Sequence, residues 1–186
     1  MSKKIRELLE RHFISPSTDL DQHFFKNIHV LNKMIGYAKI NKKSTVLEIG
    51  PGLGFLTKQL AKRAGLVLAV EKDRVFEDVL HEELSDFKNV EVIFENALEL
   101  ENIDVDCIVS NMPYNVCEPL LKVLPSWKFK TAVLLVSRRF AFGLLTNENL
   151  KKLVKKFNVE LLDDVPRNCF YPQPKVESKV VRLTLL

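Results

Sequence analysis

Thr45-Val46-Leu47-Glu48-Ile49-Gly50-Pro51-Gly52-Leu53-Gly54 is the stretch that decides the fold. Val46, Leu47 and Ile49 are apolar and β-favouring, as in a strand covered on both faces. Three glycines alternate with other residues directly after it, and a helical run over 55–63 follows. Glycine lets the chain turn sharply and lets a ligand approach bare backbone, while the first turn of the helix adds unpaired N–H groups. The pattern predicts a nucleotide-type cofactor site in a Rossmann-like unit. A second apolar run, Leu66–Val70, ends at Glu71. An acidic residue at a second strand tip, roughly 20 residues past the glycines, is where the ribose hydroxyls of a bound nucleoside sit.

Working outward, residues 2–13 read as an amphipathic helix with Ile5, Leu8, Leu9 and Phe13 on its apolar side. Ser15-Pro16-Ser17-Thr18 is a loop, and 28–40 a helix with Ile28, Leu31, Ile35 and Ala38 facing the core. Past Glu71, 75–84 is helical. A third strand over 90–94 ends at Glu95-Asn96-Ala97, and a fourth over 106–110 runs into Asn111-Met112-Pro113-Tyr114. Residues 120–124 lie on a helix and 131–137 form a strongly apolar fifth strand. A lysine-faced helix over 150–157 precedes two last strands, 159–162 and 179–185. Strand and helix alternate, which predicts a parallel doubly wound α/β sheet in a single domain, 1–186, with 1–18 as an N-terminal helix and loop. Ligands on such sheets bind beyond the carboxyl ends of the strands. Four of those ends carry informative residues: Gly50 to Gly54, Glu71, Asn96 and Asn111 to Tyr114.

The 186 residues are 46% hydrophobic and 28% charged, ordinary for a soluble globular chain, with a formal net charge of +4. The balance is compatible with a nucleic-acid partner without indicating one. Cys107, Cys117 and Cys169 are widely spaced, with no zinc-like pairing, and suit a reducing compartment. No stretch has the length of a membrane span and the charged N-terminus is unlike a signal peptide, so a cytoplasmic enzyme without metal is expected. The sequence carries no signal for an oligomeric state.

Asn111-Met112-Pro113-Tyr114 offers no nucleophile and no His–carboxylate pair. It offers an amide, backbone carbonyls stiffened by Pro113 and a flat ring, a set suited to a planar base bearing an exocyclic amine. Tyr114 can stack on the base, while Asn111 and the carbonyl beside Pro113 accept both amine hydrogens. Two acceptors so placed localise the amine's lone pair and hold it in line with an electrophilic methyl carbon.

Glu48-Ile49-Gly50-Pro51-Gly52-Leu53-Gly54, Asn111-Met112-Pro113-Tyr114-Asn115 and Cys169-Phe170-Tyr171-Pro172-Gln173-Pro174-Lys175-Val176-Glu177-Ser178 together resemble the ribosomal RNA adenine dimethyltransferases, and Gln22-His23-Phe24-Phe25 resembles their Gln-His-Phe-Leu motif. The resemblance runs from about Asp19 to the C-terminus. It implies a Rossmann-like class I methyltransferase fold with a seven-stranded, mostly parallel sheet and helices on both faces. It implies S-adenosylmethionine as cofactor and ribosomal RNA or the small ribosomal subunit as partner, with dimethylated adenosines as product. His23, Phe25, Glu48, Gly50, Gly52, Gly54, Glu71, Asn96 and Asn111 would surround the cofactor. Asn111, Pro113 and Tyr114 would meet the target amine, with Phe170 as the second face of a stacking sandwich around a flipped base.

The chain departs from the family pattern in places. Asn96 replaces an aspartate and keeps an acceptor oxygen without the charge. Asp21 stands where glycine is usual, and Ser137-Arg138-Arg139-Phe140-Ala141 where Gln-Lys-Glu-Phe-Ala is usual. The next segment is short, and the family's small C-terminal helical domain is expected to be absent. Arg138, Arg139, the lysines of 151–156 and Lys3, Lys4 and Arg6 are candidate phosphate contacts. The competing readings are the same chemistry on another RNA, such as large-subunit RNA, and a non-catalytic RNA-binding assembly factor. A nicotinamide dehydrogenase shares the glycines and Glu71 but lacks a residue for hydride transfer.

Overall fold

A computed structural model describes residues 2–17 and 22–186. Asp19 and Asp21, which the family comparison singled out, and Thr18 of the expected loop lie outside the described residues. In chain order the elements are α1 (Ser2–Arg11), β1 (Phe24–Phe25), α2 (Ile28–Tyr37), β2 (Thr45–Ile49), α3 (Phe55–Ala61), β3 (Leu66–Val70), α4 (Glu77–Leu84), β4 (Val90–Ile93), β5 (Cys107–Ser110), α5 (Tyr114–Val123), β6 (Thr131–Ser137), α6 (Arg138–Thr146), α7 (Glu148–Leu153), β7 (Phe157–Val165), β8 (Phe170–Tyr171) and β9 (Ser178–Leu185).

Seven strands form one sheet in the order β4-β3-β2-β5-β6-β9-β7. The first five are parallel, and β9 lies antiparallel between β6 and β7. The mostly parallel sheet is as expected. Its antiparallel end was not legible, because an apolar strand reads alike in either direction. Side chains alternate across the sheet with period two. Val46, Val133 and Leu135 join α2 and α3 on one face, and Leu47, Leu134 and Val136 join α5 and α6 on the other. Burial on both faces is why these strands read as continuous apolar runs.

Two expectations need correction, and one helix was not foreseen. The helix expected over 150–157 stops at Leu153, and Phe157 instead opens β7, buried against Phe129 with ring centroids 5.7 Å apart. Residues 138–146, not assigned from sequence, are helical; Ser137 caps the helix by accepting from the Phe140 N–H. Phe13 does not join the apolar side of α1. Ile5, Leu8 and Leu9 pack against Phe24, Phe76 and Leu80, but α1 ends at Arg11 and Phe13 is 94% exposed at φ 54°. It holds the left-handed position of a helix-ending cap: the Phe13 N–H donates to the Glu10 carbonyl and the Ile14 N–H to that of Leu9.

Candidate active site

The carboxyl ends of β2, β3 and β5 open onto a cavity of about 480 Å³, large enough for a nucleoside-sized ligand. Chain segments far apart in sequence meet there because a parallel sheet puts all its strand ends on one side. His23, Phe25, Glu48, Gly50 and Gly52 line it, together with Glu71, Asn96, Asn111 and Pro113. Nine of the residues singled out in the sequence are therefore gathered at one cavity.

The glycine bend follows β2 directly. Gly50, Gly52 and Gly54 all have positive φ. At Gly52 the need is doubled, since a Cβ would stand 3.1 Å from the ring of Phe24. Gly54 does not line the cavity. It precedes α3 in left-handed geometry and lets the turn close against Leu80 and Leu84. Its role is packing, a correction to its expected place beside the cofactor.

Glu71 is 7% exposed, and both its oxygens accept backbone N–H groups: from Gly52 at 3.1 Å and from Asp73 at 2.9 Å. The carboxylate thus fastens the tip of β3 to the glycine bend. Burial pushes its pKa up, against the pull of those N–H groups. Asp73, which sequence reasoning missed, accepts from Gln22 Nε2 at 3.0 Å and joins the cavity wall. The usable signal was its place two residues past the acidic strand tip.

Glu48 is more isolated. It is 1% exposed, and burial, followed by the nearby Glu71 charge, pushes its pKa up to about 8, with only the Thr57 hydroxyl working the other way. Its Oε2 and the Thr57 Oγ1 complete no hydrogen bond among the described residues. A buried carboxyl with a spare oxygen on a cavity wall is costly unless a ligand donates to it or brings a positive charge. S-adenosylmethionine has donors and a net positive charge, so the residues present fit it.

Asn96 caps a short 3₁₀ turn. Its Oδ1 accepts the Leu98 N–H at 3.2 Å and its Nδ2 donates to Glu99 Oε1 at 2.7 Å. The amide is matched to Glu99, beside which an aspartate would lack that donor.

On the far side, Ser110 Oγ donates to the Ile49 carbonyl at 2.6 Å and ties β5 to β2. Asn111 Nδ2 donates to the His23 carbonyl at 3.1 Å. Because a carbonyl only accepts, the NH₂ end of the amide is fixed and Oδ1 is left as the acceptor. His23 Nδ1 lies 2.9 Å from the Pro172 carbonyl, and because a carbonyl only accepts, Nδ1 is the donor there. The Tyr114 hydroxyl bonds Ser178 Oγ at 2.6 Å, and the ring stands 6.3 Å from that of His23. The Pro113 carbonyl is taken by the Val116 N–H in the first turn of α5.

Phe170 is placed otherwise than expected. It is 1% exposed and lies against Phe25, with centroids 4.7 Å apart. The cause is the two-stranded pairing of β1 with β8, which sets Phe25 opposite Phe170 and turns that ring into the core. It supports Phe25 from behind and offers no free face.

A family model described as ribosomal RNA adenine dimethylase matches residues 15–185. A probable ribosomal RNA small subunit methyltransferase A from Thermococcus sibiricus is 36% identical over 188 residues, covering 97% of this chain and 68% of the relative. One from Methanopyrus kandleri is 38% identical over 185 residues, covering 95% and 66%. Among solved structures, a dimethyladenosine transferase from Plasmodium falciparum aligns with a TM-score of 0.79 at 34% identity, covering 88% of this chain and 63% of that one. The 23S rRNA methyltransferase ErmE aligns with a TM-score of 0.79 at 27% identity, covering 88% and 70%. The chain spans about two thirds of the length of these relatives.

Proposed function

Because this chain belongs to the ribosomal RNA adenine dimethylase family, we propose that it is an S-adenosylmethionine-dependent RNA (adenine-N6) methyltransferase that dimethylates adenosines of small-subunit ribosomal RNA. Residues 1–186 serve as the methyl-transfer unit. The observation that carries the reading is the orientation of Asn111 at the cavity, with its NH₂ end held by the His23 carbonyl and its oxygen left to accept.

S-adenosylmethionine supplies, when bound, a methyl carbon made electrophilic by a sulfonium. Gly50 and Gly52 would give it close access to backbone, Glu71 would accept its ribose hydroxyls, and Glu48 and Asn96 would accept from its remaining donors. On the acceptor side, Asn111 Oδ1 takes one hydrogen of the adenine N6. With the Pro113 carbonyl engaged inside α5, the Met112 carbonyl takes the other. The N6 lone pair is thereby drawn out of conjugation with the ring, and the two oxygens already in position would stabilise positive charge at N6. The amine proton then leaves to water. Tyr114, steadied by Ser178, stacks on the base.

We assign the protein to the cytoplasm, where its three buried cysteines stay reduced thiols. Among the described residues no helix is long and apolar enough to cross a membrane. The test is incorporation of labelled methyl groups into small ribosomal subunits, with Asn111→Ala as control. Cofactor binding with no methyl transfer to any RNA would refute the reading. The likeness to ErmE favours one second reading, the same chemistry on large-subunit RNA, which mapping of the modified nucleotide decides.

A further inference from the structure

Phe13 has no use inside the fold. It occupies the left-handed position that ends α1, where glycine is the easy choice, and its ring is 94% exposed. The residue thus carries backbone strain and forgoes burial at once. Its ring borders a second cleft, of about 470 Å³, between α1, residues 13–16 and Tyr171. The Arg6 guanidinium lies over the Tyr171 ring at 5.3 Å. Lys4 and Arg11 on the same helix are paired with Glu83 and Glu82, but Arg6 has no carboxylate partner among the described residues. The cleft therefore combines two aromatic rings with a planar cation that makes no direct ion pair among the described residues. Tyr171 also precedes Pro172, whose carbonyl holds the His23 that lines the first cavity, so the two spaces are linked through Tyr171, Pro172 and His23.

Resting on the function proposed above, we propose that this cleft binds a single-stranded nucleotide of the RNA next to the target adenosine, its base stacked on Phe13 and a phosphate on Arg6. Every base has a π-face, and guanidinium pairs with phosphate through parallel N–H groups, so the chemistry suits a strand bound without strict sequence choice. Glu10 on the cleft wall repels phosphate on its own side and accepts from amino groups on a base edge.

Binding of labelled single-stranded hexa-adenylate and hexa-uridylate tests this without any methyl transfer. Phe13→Gly relieves the strained cap, so it should raise the melting temperature and yet weaken oligonucleotide binding about tenfold, the order lost when one stacked base is removed. Phe13→Trp should keep the affinity and show quenching of its added emission on saturation. Arg6→Gln should lower the salt slope of binding by about one. Unchanged affinity in Phe13→Gly, or no oligonucleotide binding by the unaltered protein, overturns the proposal. If the unaltered protein methylates RNA and Phe13→Gly leaves its KM unchanged, the cleft alone is refuted. If Phe13 governs oligonucleotide binding while no RNA is methylated, the catalytic reading alone fails.

Discussion

Replacing Glu48 by glutamine should stabilise the free protein at neutral pH while weakening the cofactor. In the fold this carboxyl has a pKa of about 8, against 4.5 for an ordinary glutamate. The sign follows from proton binding. Between those values the folded state holds a proton that the unfolded state has lost, so stability falls as pH rises and the full cost is reached above about pH 8. At pH 7 the gap is about 2.5 pH units, or roughly 3 kcal/mol at about 1.4 kcal/mol per unit. A neutral, isosteric amide removes that cost. It adds a buried NH₂ whose one evident acceptor is Thr57, an imperfect arrangement worth about 1 kcal/mol against it. The net gain of about 2 kcal/mol corresponds to a rise in melting temperature of about 4–8 °C for a chain of this size. At pH 5 the wild-type cost shrinks to under about 1 kcal/mol and the two proteins should melt together. Thermal denaturation of both proteins from pH 5 to 9 reads the difference directly. Calorimetric titration should add that S-adenosylmethionine, with its net positive charge, binds the wild type more tightly as pH rises through 8 and binds the variant weakly at every pH. A melting difference that stays constant with pH, or a variant less stable at pH 8 than the wild type, would refute the assignment of Glu48 as a buried carboxyl awaiting a cationic ligand.

The other predictions concern Asn111 and Gly52 on the cavity wall and Tyr114 beside it. Asn111→Ala should leave the cofactor dissociation constant within a few-fold and lower the methyl-transfer rate by about 10²–10³, the usual effect of removing one aligned polar group at the reacting atom; single-turnover assays separate the two quantities. Gly52→Ala should destabilise the fold by about 1–2 kcal/mol, since its φ of 54° is strained for alanine and the new methyl meets Phe24; denaturant unfolding measures the loss. Tyr114→Phe should cost about 1 kcal/mol through the unpaired Ser178 hydroxyl while keeping most of the activity, because the ring stays. An equal loss of rate in Tyr114→Phe and Tyr114→Ala would argue against stacking as the role of that ring.

The sequence by itself determined the repeated strand–helix order, the glycine bend after β2, the acidic tip of β3 and the amide at the end of β5. Each rests on local physics: apolar periodicity, positive φ, and the rule that parallel strands put their ends on one side. Those local signals, together with the family resemblance that added His23, Phe25 and Glu48, pointed to nine residues that meet at one cavity. Tertiary structure alone decided the rest, because the deciding partner lies far along the chain. Phe170 reads like an exposed ring until the pairing of β8 with β1 turns it inward onto Phe25. Gly54 resembles its neighbours until Leu80 and Leu84 pack against the turn it opens. Phe13 fits the apolar side of α1 in periodicity, but the helix stops two residues too soon for that register to hold. Asn111 is visible in the sequence, yet which end of its amide faces the ligand depends on a carbonyl 88 residues away. Periodicity and turn chemistry act over a few residues, whereas burial and hydrogen-bond direction are set by whatever the fold brings alongside.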